Sequence, residues 1–449
     1  MLTKKMLRDM GRHKTQFLSI FLMAFLAIYI YTGVGGEWRG LVKSADDYYA
    51  ETNLADVWLY GNGFSDGQVE AILSVPGVTS AERRLEMTAV ADLDGTPKVD
   101  LMFVESSTIS AMYLTDGFPF DIDDANGVWL SKRFADARGI AVGDTLKVIV
   151  SGMTFEKTIR GLVYSPEQVY EYNSDAVTED FSLHGFAYLS EKAFPVPAMF
   201  TYSSMMITGE SSEADIDTAL DGKYRVYLAR KDHPSVSTFA AEFDQHKMMG
   251  DVFPVVFLLI ALLTMMTTMT RLVNNQRIQI GTLKALGFTK GSILRHYVSY
   301  GFWLTLLGAV TGLIAGPITL PRLFYPSMSA FYTVPTWKPA YSAEFILMAA
   351  AIVALSTAVC WYSCAKLLRD TPADTLRSKT PKSFKHGFLE RAKIWGRLGF
   401  NAQWNIRDAS RNPARSVMAV IGVFGCTILV VCAFAMNDAT NDLKAWQFE

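Results

Sequence analysis

The chain has 449 residues, half of them hydrophobic, a net charge of −2 and a mean hydropathy of +0.18. A soluble protein of that length is normally divided into several domains of about 100–200 residues, but here the apolar residues gather in long uncharged blocks. All four cysteines (Cys360, Cys364, Cys426, Cys432) fall inside such blocks, which excludes a disulfide-built fold and gives Cys360 and Cys364 the reading of small packing residues.

Residues 1–15 carry Lys4, Lys5, Arg8, Arg12 and Lys14, with Leu2, Met6, Leu7 and Met10 on one face. That pattern predicts an amphipathic lead-in on the cytoplasmic surface. The uncharged run within 16–36 is too long for a cleaved signal peptide and reads as a retained first membrane helix. Basic residues before it place the N-terminus inside, in the cell (plasma) membrane.

Residues 37–250 differ in composition. They hold roughly 34 acidic against roughly 17 basic side chains, while the remainder is basic, which places this block outside the membrane. Strands are expected at 55–60, 128–131, 155–163, 187–189 and 205–207, with 76–78 and 139–148 each turning into a further strand, and helices at 65–74 and 132–138. The expected fold is a two-lobed α+β domain ending in a stalk helix over 231–251. Asp121, Asp123 and Asp124 lack calcium-loop spacing, and His184, His233 and His246 form no zinc-hydrolase motif. Glu167, Glu171, Asp175, Glu179 and Asp180 read as exposed charge.

A second membrane helix is expected at 251–270, a third at 297–321 and a fourth at 344–365, with an outer loop at 322–343. Gly301, Gly308, Gly312 and Gly316 leave one side of the third helix open to close packing. Between the second and third, residues 271–296 carry only basic charge and stay cytoplasmic. Ile280, Leu283 and Leu286 recur there at three-residue spacing, predicting a short amphipathic helix that Gly287 ends and Thr289 or Ser292 follows as a cap. Spacing alone fits a helix on the inner leaflet or one that docks onto a partner protein.

The residues themselves favour docking. Gln276-Arg277-Ile278-Gln279-Ile280-Gly281-Thr282-Leu283-Lys284-Ala285-Leu286-Gly287 resembles the "REIGxLKALG" signature of FtsX-like (MacB-type) ABC-transporter permeases, which often have Glu where this chain has Gln279. The resemblance extends to Ser74–Val78 and Gly139–Val148 in the outer block. It implies that Arg277, Ile280, Gly281, Leu283, Lys284, Ala285, Leu286 and Gly287 contact a cytoplasmic ABC ATPase subunit. It also implies a second cytoplasmic contact at Pro372, Leu376 and Arg377, in a motif just after the fourth helix.

The cytoplasmic linker 366–415 ends in a copy of the N-terminal lead-in: Leu7-Arg8-Asp9 matches Ile406-Arg407-Asp408. A fifth membrane helix is expected at 416–436, opening a second permease half, and 437–449 as an outer tail. The family pattern then implies a truncated chain, or a second half on another polypeptide. The fold expected overall is an α-helical integral membrane protein of about five membrane helices with the α+β extracytoplasmic domain between the first two. No P-loop is present, so catalysis, ATP and magnesium are expected in the partner, and no nucleic-acid partner is expected. The alternative is a regulatory or sensory membrane protein that controls a cell-wall hydrolase or senses a peptide without transport.

Overall fold

The computed structural model describes residues 14–150, 152–171, 180–368 and 399–411, with isolated positions at 8, 10, 11 and between 417 and 438. The chain falls into two units. One holds the described parts of Met1–Glu37, His246–Arg322 and Pro339–Glu449; the other holds those of Trp38–Gln245 and Leu323–Lys338.

Four uncharged runs become helices that outlast the runs themselves: α1 (Lys14–Glu51), α5 (Pro234–Asn275), α7 (Lys290–Met328) and α8 (Ala343–Leu367). All four are long and apolar enough to cross a membrane. The first three exceed what a bilayer requires: α5 has 42 residues, where about 20 suffice. The expected stalk and second membrane helix are therefore one element. Helix α7 continues through Pro321 into the residues expected as outer loop. The fifth apolar run, 416–436, is described only at scattered positions, and Asp175 and Glu179 lie outside the described residues.

In the first unit α1 and α7 pack closely along the glycine face. A Cβ on Gly308 would lie 2.8 Å from the Phe21 carbonyl oxygen, one on Gly312 2.8 Å from that of Phe25, and one on Gly316 2.5 Å from that of Tyr29. Gly301 faces the other way, onto Cys360 of α8. Cys360 and Cys364 are fully buried in an apolar cluster with Phe17, Met269 and Tyr300, which is the packing role expected of them.

Among the described residues, the second unit is built on a mixed sheet of ten strands. Their order is β10-β1-β9-β2-β3-β8-β5-β7-β4, with β6 (Thr145–Val150) pairing β2 and β7. The strands are β1 (Val57–Tyr60), β2 (Val78–Ala91), β3 (Lys98–Val104), β4 (Tyr113–Gly117), β5 (Gly127–Ser131), β7 (Met153–Tyr164), β8 (His184–Ser190), β9 (Ser204–Gly209) and β10 (Val226–Ala229). β3 runs parallel to β8 and β5 parallel to β7; every other pairing is antiparallel.

Alternation along β3 explains why both faces are covered. Val99, Leu101 and Phe103 enter one cluster with Leu130 and with Phe134 of α3 (Lys132–Arg138). Met102 and Val104 enter another with Trp129 and Tyr188. A third cluster sets β1 and β9 against α2 (Asp66–Leu73) and α4 (Glu213–Leu220) through Leu59, Ile207, Ile72 and Ile216. The two expected lobes thus share one continuous sheet and have separate cores.

Residues 323–338, distant in sequence, complete this unit. Tyr325, Met328, Tyr332 and Val334 pack on Leu41, Tyr48, Val169 and Phe239. The Thr333 N–H donates to the Val169 carbonyl at 2.7 Å. Arg133 of α3 reaches the same segment, donating to the Thr333 hydroxyl and the Tyr332 carbonyl, each at 3.0 Å, and to the Ser329 carbonyl.

One expectation is overturned. Glu167 and Glu171 are buried, at 3% and 4% exposure, and are not surface charge. Arg84 on β2 donates to Glu167 at 2.5 Å, and the Trp58 indole N–H donates to it at 2.7 Å. Burial works against the Glu167 charge, but the Arg84 guanidinium outweighs it and holds the carboxyl below its ordinary range.

Candidate coupling site

Helix α6 (Arg277–Ala285) is the elbow between α5 and α7. The chain leaves α5 at Asn275 and breaks at Gln276, whose φ and ψ are −97° and 16°. The Gln276 side chain accepts a hydrogen bond from the Tyr297 hydroxyl of α7 at 2.6 Å. At the other end Gly287 takes φ +87°, a conformation a side chain resists. The Phe288 N–H then reaches the Leu283 carbonyl and the Gly287 N–H the Lys284 carbonyl, each at 3.1 Å. That paired pattern is a Schellman cap. Thr289 opens α7, its hydroxyl accepting from the Ser292 N–H at 3.2 Å.

The elbow has an inward and an outward face. Ile280 is 2% exposed and sits with Leu272, Val273, Ile293 and Tyr297, with Leu283 packed against the same cluster. Gly281 is buried, and Arg277 and Lys284 are half-buried. The Lys284 ammonium donates to the Leu368 carbonyl at the end of α8, at 2.9 Å. Outward stand Ile278, at 67% exposure, and Leu286, at 71%, with Gln279, Thr282, Ala285 and Gly287.

The expected apolar stripe is therefore divided. Ile280 and Leu283 anchor the elbow to its own membrane helices, and of the three only Leu286 is presented outward. Ile278 was missed, because it lies off the three-residue repeat. Its signal was its place one turn before Thr282 and two turns before Leu286, on the face opposite Ile280. Pro372, Leu376 and Arg377 lie outside the described residues. Among the described residues, no cluster of three or more His, Cys, Asp or Glu is placed to hold a metal.

An FtsX-like permease C-terminal family model matches residues 252–372, which take in most of α5, all of α6 and α7, and α8. The chain is 25% identical over 277 residues to an uncharacterized ABC transporter permease protein of Mycobacterium tuberculosis, covering 58% of this chain and 30% of that protein. The match thus spans less than a third of that relative's length. Among solved structures, the extracellular domain of the noncanonic ABC-type transporter YknZ from Gram-positive bacteria is 14% identical. That comparison covers 39% of this chain and 98% of the domain, with a TM-score of 0.27. The periplasmic region of MacB from Actinobacillus actinomycetemcomitans is also 14% identical, covering 42% and 91%, with a TM-score of 0.26. The elbow, its caps and most of the helices on either side of it fall within residues 252–372, the stretch that is similar to the FtsX-like permease C-terminal family.

Proposed function

We propose that the chain is a permease subunit of an ABC transporter of the FtsX/MacB kind, driven by a separate cytoplasmic ATPase that bears on the outward face of α6. The observation that carries this reading is the two-faced elbow. Ile278 and Leu286 stand exposed on a helix whose opposite face is locked to α5, α7 and α8 through Ile280, Gln276 and Lys284. A load on the exposed face cannot be absorbed by the elbow alone and passes into the helices that hold it.

ATP and magnesium belong to the partner in this reading, and the permease converts closure of the ATPase into movement. The N-terminus and the elbow are cytoplasmic, and the α/β unit is extracytoplasmic. The excess length of α1 and α5 suits helices that carry displacement beyond the bilayer. The cargo classes compatible with such a device are lipid, lipoprotein, peptide or antibiotic, exported or extracted at the outer face.

The test compares the two faces of the elbow. Full-length protein is purified from its native membranes, and the ATP hydrolysis that accompanies it is measured. Ile278→Asp with Leu286→Asp is expected to remove that activity while leaving the thermal unfolding midpoint unchanged. Ile280→Asp is expected to lower the midpoint. Undiminished ATP hydrolysis with the outward pair would refute ATPase docking at α6.

A further inference from the structure

The face of the sheet bearing Trp129 lines an open cavity of about 490 Å³ that the coupling reading does not use. It lies wholly within the α/β unit. Ligand-sized pockets run roughly 300–1,000 Å³ and are mostly apolar, with a few placed polar groups. Met112, Leu114, Phe120 and Ile122 form its apolar wall over Trp129, and the Phe120 ring meets the Trp129 ring edge-on at 4.7 Å. Glu105, Ser106 and Ser107 form its polar end.

The wall is built in advance of any ligand. Buried Glu82 uses one carboxylate oxygen to accept the N–H groups of Thr108 and Ile109, at 3.0 and 2.9 Å, and the Thr108 hydroxyl at 2.8 Å. Ser110 holds φ +48°, unusual for a residue with a side chain, and its N–H donates to the Asn53 carbonyl at 2.8 Å. Backbone held in so sparse a region marks a segment fixed by its surroundings. Phe118, beside the cavity, is 65% exposed.

The polar inventory says what fits. Glu105 is consumed by Arg83, which gives it a backbone N–H at 2.7 Å and a guanidinium N–H at 2.8 Å. The Trp129 indole N–H is consumed by the Phe118 carbonyl at 2.8 Å. Among the described residues the Ser106 and Ser107 hydroxyls are the side-chain polar groups of the wall left to bond a guest. An anionic guest would meet the Glu105 carboxylate, and a cationic one would have to compete with Arg83 for it.

We infer that this cavity binds an uncharged apolar group, aromatic or branched, bearing a carbonyl or ether oxygen that accepts from Ser106 or Ser107. That group could be a free small molecule or a side chain of an uncharged peptide. The cavity takes its guest whether or not an ATPase drives the chain.

Benzophenone supplies both the ring and the carbonyl, and on irradiation it inserts into nearby C–H bonds. The full chain in lipid nanodiscs is irradiated with benzophenone, and separately with a capped uncharged tripeptide carrying benzoylphenylalanine at its centre. Labelled residues are located by peptide mass spectrometry. Label is expected on Met112, Leu114 or Ile122 from at least one probe, and which probe succeeds distinguishes the two sources. Ser107→Trp, which fills the cavity, and Met112→Asp, which puts a charge in its wall, are each expected to cut that label about tenfold. Thermal unfolding checks that both variants are folded. Absence of label on residues 105–129 from both probes, or label undiminished in both variants, would overturn the assignment.

Discussion

The Thr32 hydroxyl of α1 donates across the helix interface to the Gly312 carbonyl of α7 at 3.2 Å, while also donating to Ile28 in its own helix at 2.8 Å. Only a residue without a side chain lets α7 come near enough for that bond. In a bilayer, where no hydrophobic drive pulls helices together, such close packing is what holds them.

Gly312→Leu is therefore expected to destabilise the first unit. Its Cβ would sit 2.8 Å from the Phe25 carbonyl, against backbone that cannot yield cheaply. Overpacking of that kind costs about 1–3 kcal/mol. Gly291→Ala, where a Cβ meets nothing within 4 Å, is the control and should leave the midpoint in place. Thermal unfolding in detergent reads both.

Glu167→Gln removes one of the two counter-charges of Arg84, which is itself 3% exposed and also pairs with Glu86 at 2.6 Å. Leaving a buried charge wholly unpaired costs about 3–5 kcal/mol, so with Glu86 still in place a smaller loss is expected. The double change Glu167→Gln with Arg84→Met should recover part of that loss, since it takes away the under-compensated buried cation. Unfolding of the two variants side by side measures the difference.

His184 and Asp100 join β8 to β3, Nε2 to Oδ2 at 3.0 Å. The hydrogen bond to Asp100 raises the His184 pKa. Burial pushes Asp100 up, but hydrogen bonds from His184 and Thr88 outweigh it and lower its pKa. The His184 contribution is complete below its ordinary pKa of about 6.5 and fades as pH rises through the raised value. The Asp100 contribution is present above the carboxyl's ordinary pKa and fades as pH falls through the lowered one. His184→Gln should therefore destabilise most in mildly acid solution and least in alkali. A difference in unfolding midpoint that stays constant with pH would contradict it.

Arg133→Ala should loosen residues 329–333. The guanidinium donates to the Ser329 and Tyr332 carbonyls and to the Thr333 hydroxyl, so its loss leaves that segment held by Val169 and its aromatic contacts. Hydrogen exchange of the Thr333 amide should accelerate, while amides of β3 keep their protection.

The parts legible in the sequence were those with local causes. Uncharged runs gave the membrane helices, Gly287 gave the elbow's end, and the Lys132–Arg138 helix was placed at its observed limits. The glycine face of α7 was legible because spacing on one helix already implies a neighbour. Long-range pairing was not legible. The turn at 76–78 announces the start of β2, but Glu82, Arg83 and Arg84 break its apolar alternation and hide its length of 14 residues, because their partners lie far along the chain. Glu167 looked exposed for the same reason, being 83 positions from Arg84. At the elbow, periodicity found a stripe but could not tell which side faced home; the burial of Ile280 decides that.

The docking of residues 323–338 onto Val169, Tyr48 and Phe239 bears on how this protein can be taken apart. A fragment cut at 38 and 245 would lack sixteen residues that its own core requires, and Leu41 and Phe239 would be stripped of their cover. Secreted versions made for crystallography or antibody work need that hairpin-sized piece spliced back in, bridged by a short linker; without it they are expected to be sticky and short-lived.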